Sequence, residues 1–137
     1  MDGFRFVMPY CVHVADVNYG GHVANSAVLN IFQDGRIKYL AEVGSYSELK
    51  IGEDCGIIMP EAHVYYRAEM FLHEQLLIGV RTTQVKRSSF TLEYRIERDG
   101  VLTVEGNSNL LAFRYATRKV VRLPETFREG LVDFEGL

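Results

Sequence analysis

A single long helical pattern constrains the fold of this chain more than any other sequence feature. Apolar side chains recur at spacings of three to five residues between about Asn25 and Gly44, and they are Val28, Leu29, Phe32, Ile37, Leu40 and Val43. A helix of this length extends about 30 Å, enough to cross a small sheet. Asn25 is predicted as its N-cap and Gly44 as its stop, and the interior Gly35 indicates the close approach of another backbone.

The rest of the chain shows strand patterns. Pro9 indicates an edge position or an irregularity in the first strand, because proline cannot donate to a ladder. Asp99-Gly100 predicts a type I′ hairpin turn, and Pro124 predicts the start of a short terminal helix ending near Glu129. We therefore predict an α+β domain over residues 1–137, with about five antiparallel strands, the last four forming a meander. The predicted strands are 4–14, 57–70, 75–87, 90–97 and 101–115.

Composition narrows the function classes. The chain has 137 residues, enough for one core, and its formal net charge of −3 disfavours nucleic-acid binding. Two cysteines do not make a disulfide scaffold, and four scattered histidines lack metal-site spacing, so no metal is expected. No apolar run has membrane-spanning length, so we expect a cytoplasmic protein without a membrane partner. A single sheet keeps open edges and an uncovered face, which predicts a homodimer or homotetramer.

A polar loop precedes the predicted helix. Asp16, Asn18, His22 and Asn25 lie within ten residues, interrupted by Gly20-Gly21. The start of a helix offers unpaired N–H groups and the positive end of the helix dipole, so this loop is suited to holding a carbonyl or an anion. Asx side chains also stabilise turns without any function, and that interpretation stays open.

The order of motifs along the chain resembles the hot-dog fold, in which a sheet wraps around a central helix. Within that fold it is most similar to the 4-hydroxybenzoyl-CoA thioesterase-like acyl-CoA thioesterases. Four segments carry the resemblance, and together they span almost the whole chain. They are Asp16-Val17-Asn18-Tyr19-Gly20-Gly21-His22-Val23-Ala24-Asn25, Phe32-Gln33-Asp34-Gly35-Arg36, the strand 85–94 and the closing segment 116–124.

The resemblance implies a thioester hydrolase with one departure from its family. The position that carries the family's catalytic carboxylate is Asn18, which cannot act as a base. We therefore expect Asp16 or His22 to activate water, with Asn18 as a hydrogen-bonding partner. The N–H groups of Val23 and Ala24, at the start of the helix, are expected to bind the oxyanion.

The resemblance also implies how the substrate binds. The substrate is an acyl-CoA or acyl-carrier-protein thioester, so coenzyme A enters as part of the substrate and no cofactor is expected. The acyl chain is expected beside the helix, often between two subunits. Anionic phosphates favour Arg and Lys. The residues expected to contact the substrate or its coenzyme A portion are Asn25, Ser88, Ser89, Arg118, Lys119 and Arg122.

Two other functions fit the same loop. Hot-dog hydratases and dehydratases pair an Asp-x-Asn segment with a nearby histidine, and Asp16-Val17-Asn18 matches this, although His22 lies further along. A non-catalytic acyl-thioester binding module would explain the missing carboxylate. Glu69 and Glu74 flank a predicted turn and are interpreted as surface charges.

Overall fold

A six-stranded antiparallel sheet holds one long helix against its inner face. The computed structural model describes residues 1–137. The elements are β1 (Phe6–Cys11), a 3₁₀ turn (Val14–Asp16), α1 (Asn25–Gly44), β2 (Gly56–Tyr66), β3 (Gln75–Val85), β4 (Ser89–Arg98), β5 (Val101–Arg114), β6 (Lys119–Val120) and α2 (Glu125–Glu135). The sheet order is β1-β3-β4-β5-β2, and the short β6 pairs with β5.

The strand order corrects the predicted meander. Strands β3, β4 and β5 are consecutive neighbours, but β2 pairs with β5 at the far side of the sheet instead of with β3. Short turns hold β3, β4 and β5 together, and Asp99 and Gly100 both have positive φ, as a type I′ turn requires. No short turn joins β2 to β3, so nothing local forced them to pair. The α+β class is confirmed, with β1 and β2 as the edges.

Helix α1 buries part of the predicted apolar set, with Val28, Phe32 and Leu40 buried as predicted. Leu29 and Ile37 are exposed, whereas the charged Arg36 is buried. Arg36 is accommodated because its guanidinium donates to Glu48 Oε2 at 2.8 Å and to the Tyr94 hydroxyl at 2.9 Å. The buried side of the helix comprises Ala27, Val28, Ile31, Phe32, Gly35, Arg36, Tyr39 and Leu40.

Three details of α1 also differ from expectation. Asn25 is the first helical residue, and Ala24 takes the N-cap position without any side-chain bond. Gly44 is the last helical residue, and the chain turns at Ser45 with a φ of 62°. A Cβ on Gly35 would lie 3.1 Å from methyl groups of Ile78 and Val80, so side chains of β3 make the close approach instead of a backbone.

The sheet has two ends that matter for function. The near end comprises the starts of α1 and β3, the end of β2 and the β4–β5 turn; the far end comprises the starts of β2 and β4 together with α2. Helix α2 is longer than predicted and buries Phe127 and Leu131 against the far end. Neither helix is both long and apolar enough to cross a membrane.

Candidate active site

The polar loop before α1 is held to the β2–β3 connection by a short antiparallel ladder. His22 pairs with Phe71, and the Val23 N–H donates to the Met70 carbonyl at 2.7 Å. Val23 also pairs with Val17 within the loop. Since side chains alternate along such a ladder, Val23 and Met70 point into the core while His22 points away from it. The ladder therefore fixes where His22 lies.

Asp16 serves the loop as an anchor. Its Oδ2 accepts the Tyr10 hydroxyl at 2.7 Å and the His13 N–H at 2.9 Å, and its side chain is 13% exposed. Burial, together with the hydrogen bond to Asp16, raises the pKa of Tyr10 well above its ordinary value. Tyr10 therefore stays a neutral donor to the carboxylate. The bond from Tyr10 fastens the loop to β1, and the bond from His13 closes the turn that contains Asp16.

Replacing Asp16 with alanine should therefore lower the stability of the protein, because Asp16 holds the loop in place. Losing two hydrogen bonds to a carboxylate should lower the free energy of unfolding by about 2 kcal/mol, a fall in Tm of about 6 °C for a chain of this size. Thermal unfolding measures the loss, and Tyr10→Phe, which removes one of the two bonds, should lose about half as much. An unchanged Tm in Asp16→Ala would contradict the anchoring role.

Asn18 shapes the glycine turn. Its Oδ1 accepts the Gly20 N–H at 3.0 Å, and its carbonyl accepts the Gly21 N–H at 3.0 Å. Gly21 has a φ of 80°, a conformation that favours glycine. The turn brings the chain back so that the Asn18 N–H donates to the His22 carbonyl at 3.1 Å. In this structure, Asn18 positions His22 through the backbone.

One hydrogen bond orients the imidazole ring of His22. Its Nδ1 lies 3.0 Å from the Val23 carbonyl oxygen. A carbonyl can only accept, so Nδ1 carries the proton and the neutral ring keeps its lone pair on Nε2. The half-buried imidazole is thus held in the tautomer that can accept a proton at Nε2.

The prediction that Val23 and Ala24 supply free N–H groups is wrong. The Val23 N–H donates to Met70, and the Ala24 N–H donates to the Asp16 carbonyl at 2.8 Å. Both N–H groups are therefore already hydrogen-bonded within the protein and are not available to an oxyanion. The unpaired N–H groups are those of Asn25 and Ser26, in the first turn of α1, which have no acceptor in the protein.

An open cleft of about 230 Å³ lies where the ladder meets the start of α1. The Tyr66 hydroxyl closes one side by donating to the Asn25 carbonyl at 3.0 Å. Asp16 and Asn18 do not line the cleft. The lining residues of the loop and helix are His22, Val23, Asn25 and Val28, and across from them lie Tyr66, Arg67, Ala68, Glu69, Met70 and Val104.

Sequence reasoning missed Glu69 and Tyr66 as cleft residues. Tyr66 ends β2 and Glu69 follows it, and no motif marks either residue. The pairing of His22 with Phe71 and the hydrogen bond from Val23 to Met70 bring that segment to the loop. No group of three or more His, Cys, Asp or Glu side chains is arranged to hold a metal ion.

Of the residues expected to contact the substrate or its coenzyme A portion, Asn25 lines the cleft, whereas the other five lie at the far end of the sheet. Tyr66 pairs with Val104 near the cleft, whereas Ser89 pairs with Leu111 and Lys119 with Arg114 on the same strand. At the rise of an antiparallel strand, Ser89 is about 24 Å and Lys119 about 34 Å along β5 from the cleft. Within one chain the two groups of predicted site residues are therefore not brought together.

At the far end, arginines line a second cleft of about 400 Å³. Arg122 joins Arg87 and Arg128 there, with Glu125 at the start of α2. Arg118 instead lies over the Phe113 ring, 5.5 Å from its centre. Arg87 and Arg128 were not predicted, because residues that are distant in sequence form this cluster only through the packing of α2. Three arginines against one glutamate give the lining of this cleft a net positive charge.

A sheet wrapped around one helix, with a polar loop feeding that helix, defines the hot-dog fold. The chain belongs to the thioesterase-like superfamily, whose family model matches residues 12–131. A search among curated proteins returned no match.

Solved structures with the same fold include several thioesterases. A 1,4-dihydroxy-2-naphthoyl-CoA thioesterase from Synechocystis is 20% identical, with a TM-score of 0.83 over 93% of this chain and 96% of that one. A thioesterase from Thermus thermophilus, complexed with coenzyme A and Zn, is 24% identical, with a TM-score of 0.83 over 100% and 98%. The Staphylococcus aureus protein SAV2348, in complex with CoA, is 15% identical, with a TM-score of 0.87 over 96% and 84%. At these identities the likeness establishes the fold.

Proposed function

We propose that this protein hydrolyses an acyl-CoA or acyl-carrier-protein thioester to the free acid and thiol. The observation that carries the proposal is one cleft lined by both His22, whose Nε2 makes no hydrogen bond, and Asn25, whose N–H has no acceptor in the protein. Membership of the thioesterase-like superfamily supports the reaction class. Two of the solved relatives are complexes with coenzyme A, which supports the type of substrate.

The proposed chemistry uses few groups. Water attacks the thioester carbon while His22 Nε2 takes one of its protons. The oxyanion that forms is bound by the N–H groups of Asn25 and Ser26, reinforced by the dipole of α1. The intermediate then collapses, the carbon–sulfur bond breaks, and the imidazolium returns its proton to the leaving thiolate. Of the two expected bases, His22 is favoured because Asp16 is occupied by Tyr10 and His13 and lies outside the cleft.

The complete site is proposed to form between two copies of the chain. Strand β2 is an 11-residue edge with exposed Tyr65 and Tyr66, and such an edge offers unpaired backbone groups to another strand. Antiparallel pairing of two β2 strands about a two-fold axis would set the far end of one copy beside the near end of the other. That arrangement would bring Ser88, Ser89, Arg118, Lys119 and Arg122 of one copy towards the other's cleft.

The arginine cluster is proposed to bind the phosphates of coenzyme A. Replacing Arg122 with glutamine should raise KM for acyl-CoA about 10-fold, because a charge-assisted contact to phosphate contributes roughly this much. The same variant should hydrolyse acyl-pantetheine thioesters, which lack the nucleotide, as wild type does. Lys38→Gln is the charge-matched control, since Lys38 is exposed on α1 and makes no hydrogen bond. Equal KM changes for both thioesters would contradict the assignment.

A substrate screen tests the proposed function against its alternatives. Thiol release is measured over short-chain, long-chain and aromatic acyl-CoA thioesters, alongside the loss of conjugated absorbance from enoyl-CoA and calorimetric binding. Hydrolysis supports the proposal. Enoyl hydration without thiol release would establish a hydratase, and tight binding without turnover would establish a binding module. Asn18→Asp belongs in the screen, because an aspartate can keep the Gly20 bond while restoring the family's carboxylate.

A further inference from the structure

Glu69 belongs to the segment that is held against the loop beside His22. His22 pairs with Phe71, the Val23 N–H donates to the Met70 carbonyl, and Glu69 directly precedes Met70. His22 and Glu69 both line the cleft.

The Glu69 carboxylate is uncommitted. It makes no hydrogen bond or ion pair, and only its backbone carbonyl is used, as an acceptor for Arg98. Glu74 is different, because its Oε1 accepts the Phe71 N–H at 2.6 Å and Arg98 at 3.1 Å. The neighbouring Arg67 is paired with Glu105. Of the two glutamates interpreted as surface charges, Glu74 therefore stabilises the β2–β3 connection, whereas Glu69 lines the cleft.

We propose that Glu69 supplies the carboxylate that position 18 lacks. The inference rests on the proposed hydrolysis and adds a second catalytic residue to it. The family motif puts a carboxylate in the loop, where this chain has Asn18 tied to the glycine turn. Here the carboxylate comes instead from the segment after β2, which lines the same cleft as His22.

Two acceptors orient a water better than one. The water donates one hydrogen to His22 Nε2 and the other to the Glu69 carboxylate, which turns its lone pair towards the thioester carbon. On attack, the first proton passes to Nε2 and the second stays on the new carboxylic acid oxygen. The negative Glu69 stabilises the imidazolium, for which the Val23 carbonyl is the only other partner. The imidazolium proton then leaves on the thiolate, so Glu69 ends unchanged.

The test is Glu69→Gln in the full chain, measured on the thioester that the wild type hydrolyses fastest. We expect kcat to fall about 100-fold, at the low end for a positioned acid–base group, with KM within about two-fold. Glu69→Asp keeps the charge but shortens the reach, and should recover part of the rate. Glu42→Gln is the matched control, because Glu42 is exposed on α1 and unbonded. The side chain of Glu69 is exposed, so the Tm should not change.

The possible results separate this inference from the proposed function. A wild type without turnover on any thioester overturns both. An active wild type with Glu69→Gln at an undiminished kcat overturns the role of Glu69 alone. A raised KM at constant kcat would assign Glu69 to substrate binding and would also overturn it. A loss of kcat equal to that in Glu42→Gln would show a nonspecific charge effect.

Discussion

Replacing Arg36 with methionine should lower the free energy of unfolding by about 3 kcal/mol, as expected when one partner of a buried ion pair is removed. Arg36 is 5% exposed and joins α1 to two separate parts of the fold. Its Nε donates to Glu48 in the segment after the helix, and its Nη1 donates to Tyr94 on β4. Burial alone would lower the pKa of Arg36, but Tyr94 and Glu48 raise it, so the guanidinium stays charged.

The contacts around Arg36 set the size of this loss. Tyr94 keeps a second bond to Ser108 at 2.7 Å, so its hydroxyl is not stranded. Glu48 keeps only Gln33, at 3.0 Å, and its side chain is 23% exposed, so it is left as a poorly compensated charge. The expected loss therefore lies at the low end of the range for a broken buried pair.

Urea unfolding measures the Arg36 prediction. The exposed pair of Arg67 with Glu105 provides the control, and Arg67→Met should cost less than about 1 kcal/mol. Combining Arg36→Met with Glu48→Met should recover part of the loss, because no unpaired charge then remains. If Arg36→Met and Arg67→Met proved equally mild, the network would not be holding α1 in place.

Arg36 also shows where periodicity stops being informative. The sequence predicts the bounds of α1 well, because the length of the helical pattern and the segments that flank it are local properties. It predicts only part of the buried side of the helix, namely Val28, Phe32 and Leu40. Leu29 and Ile37 fit an apolar stripe yet are exposed, while a charged residue is buried because acceptors from distant segments meet it. Those acceptors are visible only in three dimensions.

The candidate site was likewise predictable where it depends on local sequence and not where it depends on tertiary contacts. The loop, its glycine turn and its position before α1 follow from residues close together in the chain. The assignment of the oxyanion donors to Val23 and Ala24 failed because the Met70 and Asp16 carbonyls, set by tertiary pairing, consume those N–H groups. Glu69 was overlooked for the same reason, because His22 is 47 positions away in sequence (69 against 22) and the two residues line one cleft only in the folded chain. The strand β2 was misplaced because its partner β5 is equally non-local.

Replacing His22 with alanine should reduce kcat about 1,000-fold on any thioester that the wild type hydrolyses, within the range for a positioned acid–base group. The imidazole has two separable functions in this structure. Its Nδ1–H donates to the Val23 carbonyl and so supports the ladder, while its Nε2 is free to accept a proton. Alanine removes both functions. A lower kcat in this variant alone therefore does not distinguish the loss of the proton acceptor from a disturbed loop.

His22→Asn separates the two. An asparagine amide N–H can reproduce the donation to the Val23 carbonyl, because its Nδ2 occupies the place of Nδ1, but it offers no basic nitrogen. We expect this variant to keep the wild-type Tm and to remain as inactive as His22→Ala, with KM within about two-fold, as for an interaction made in the transition state. Recovery of kcat in His22→Asn would make His22 a structural residue and leave the proton transfer to another group. A stable, folded and inactive His22→Asn would place the base at Nε2.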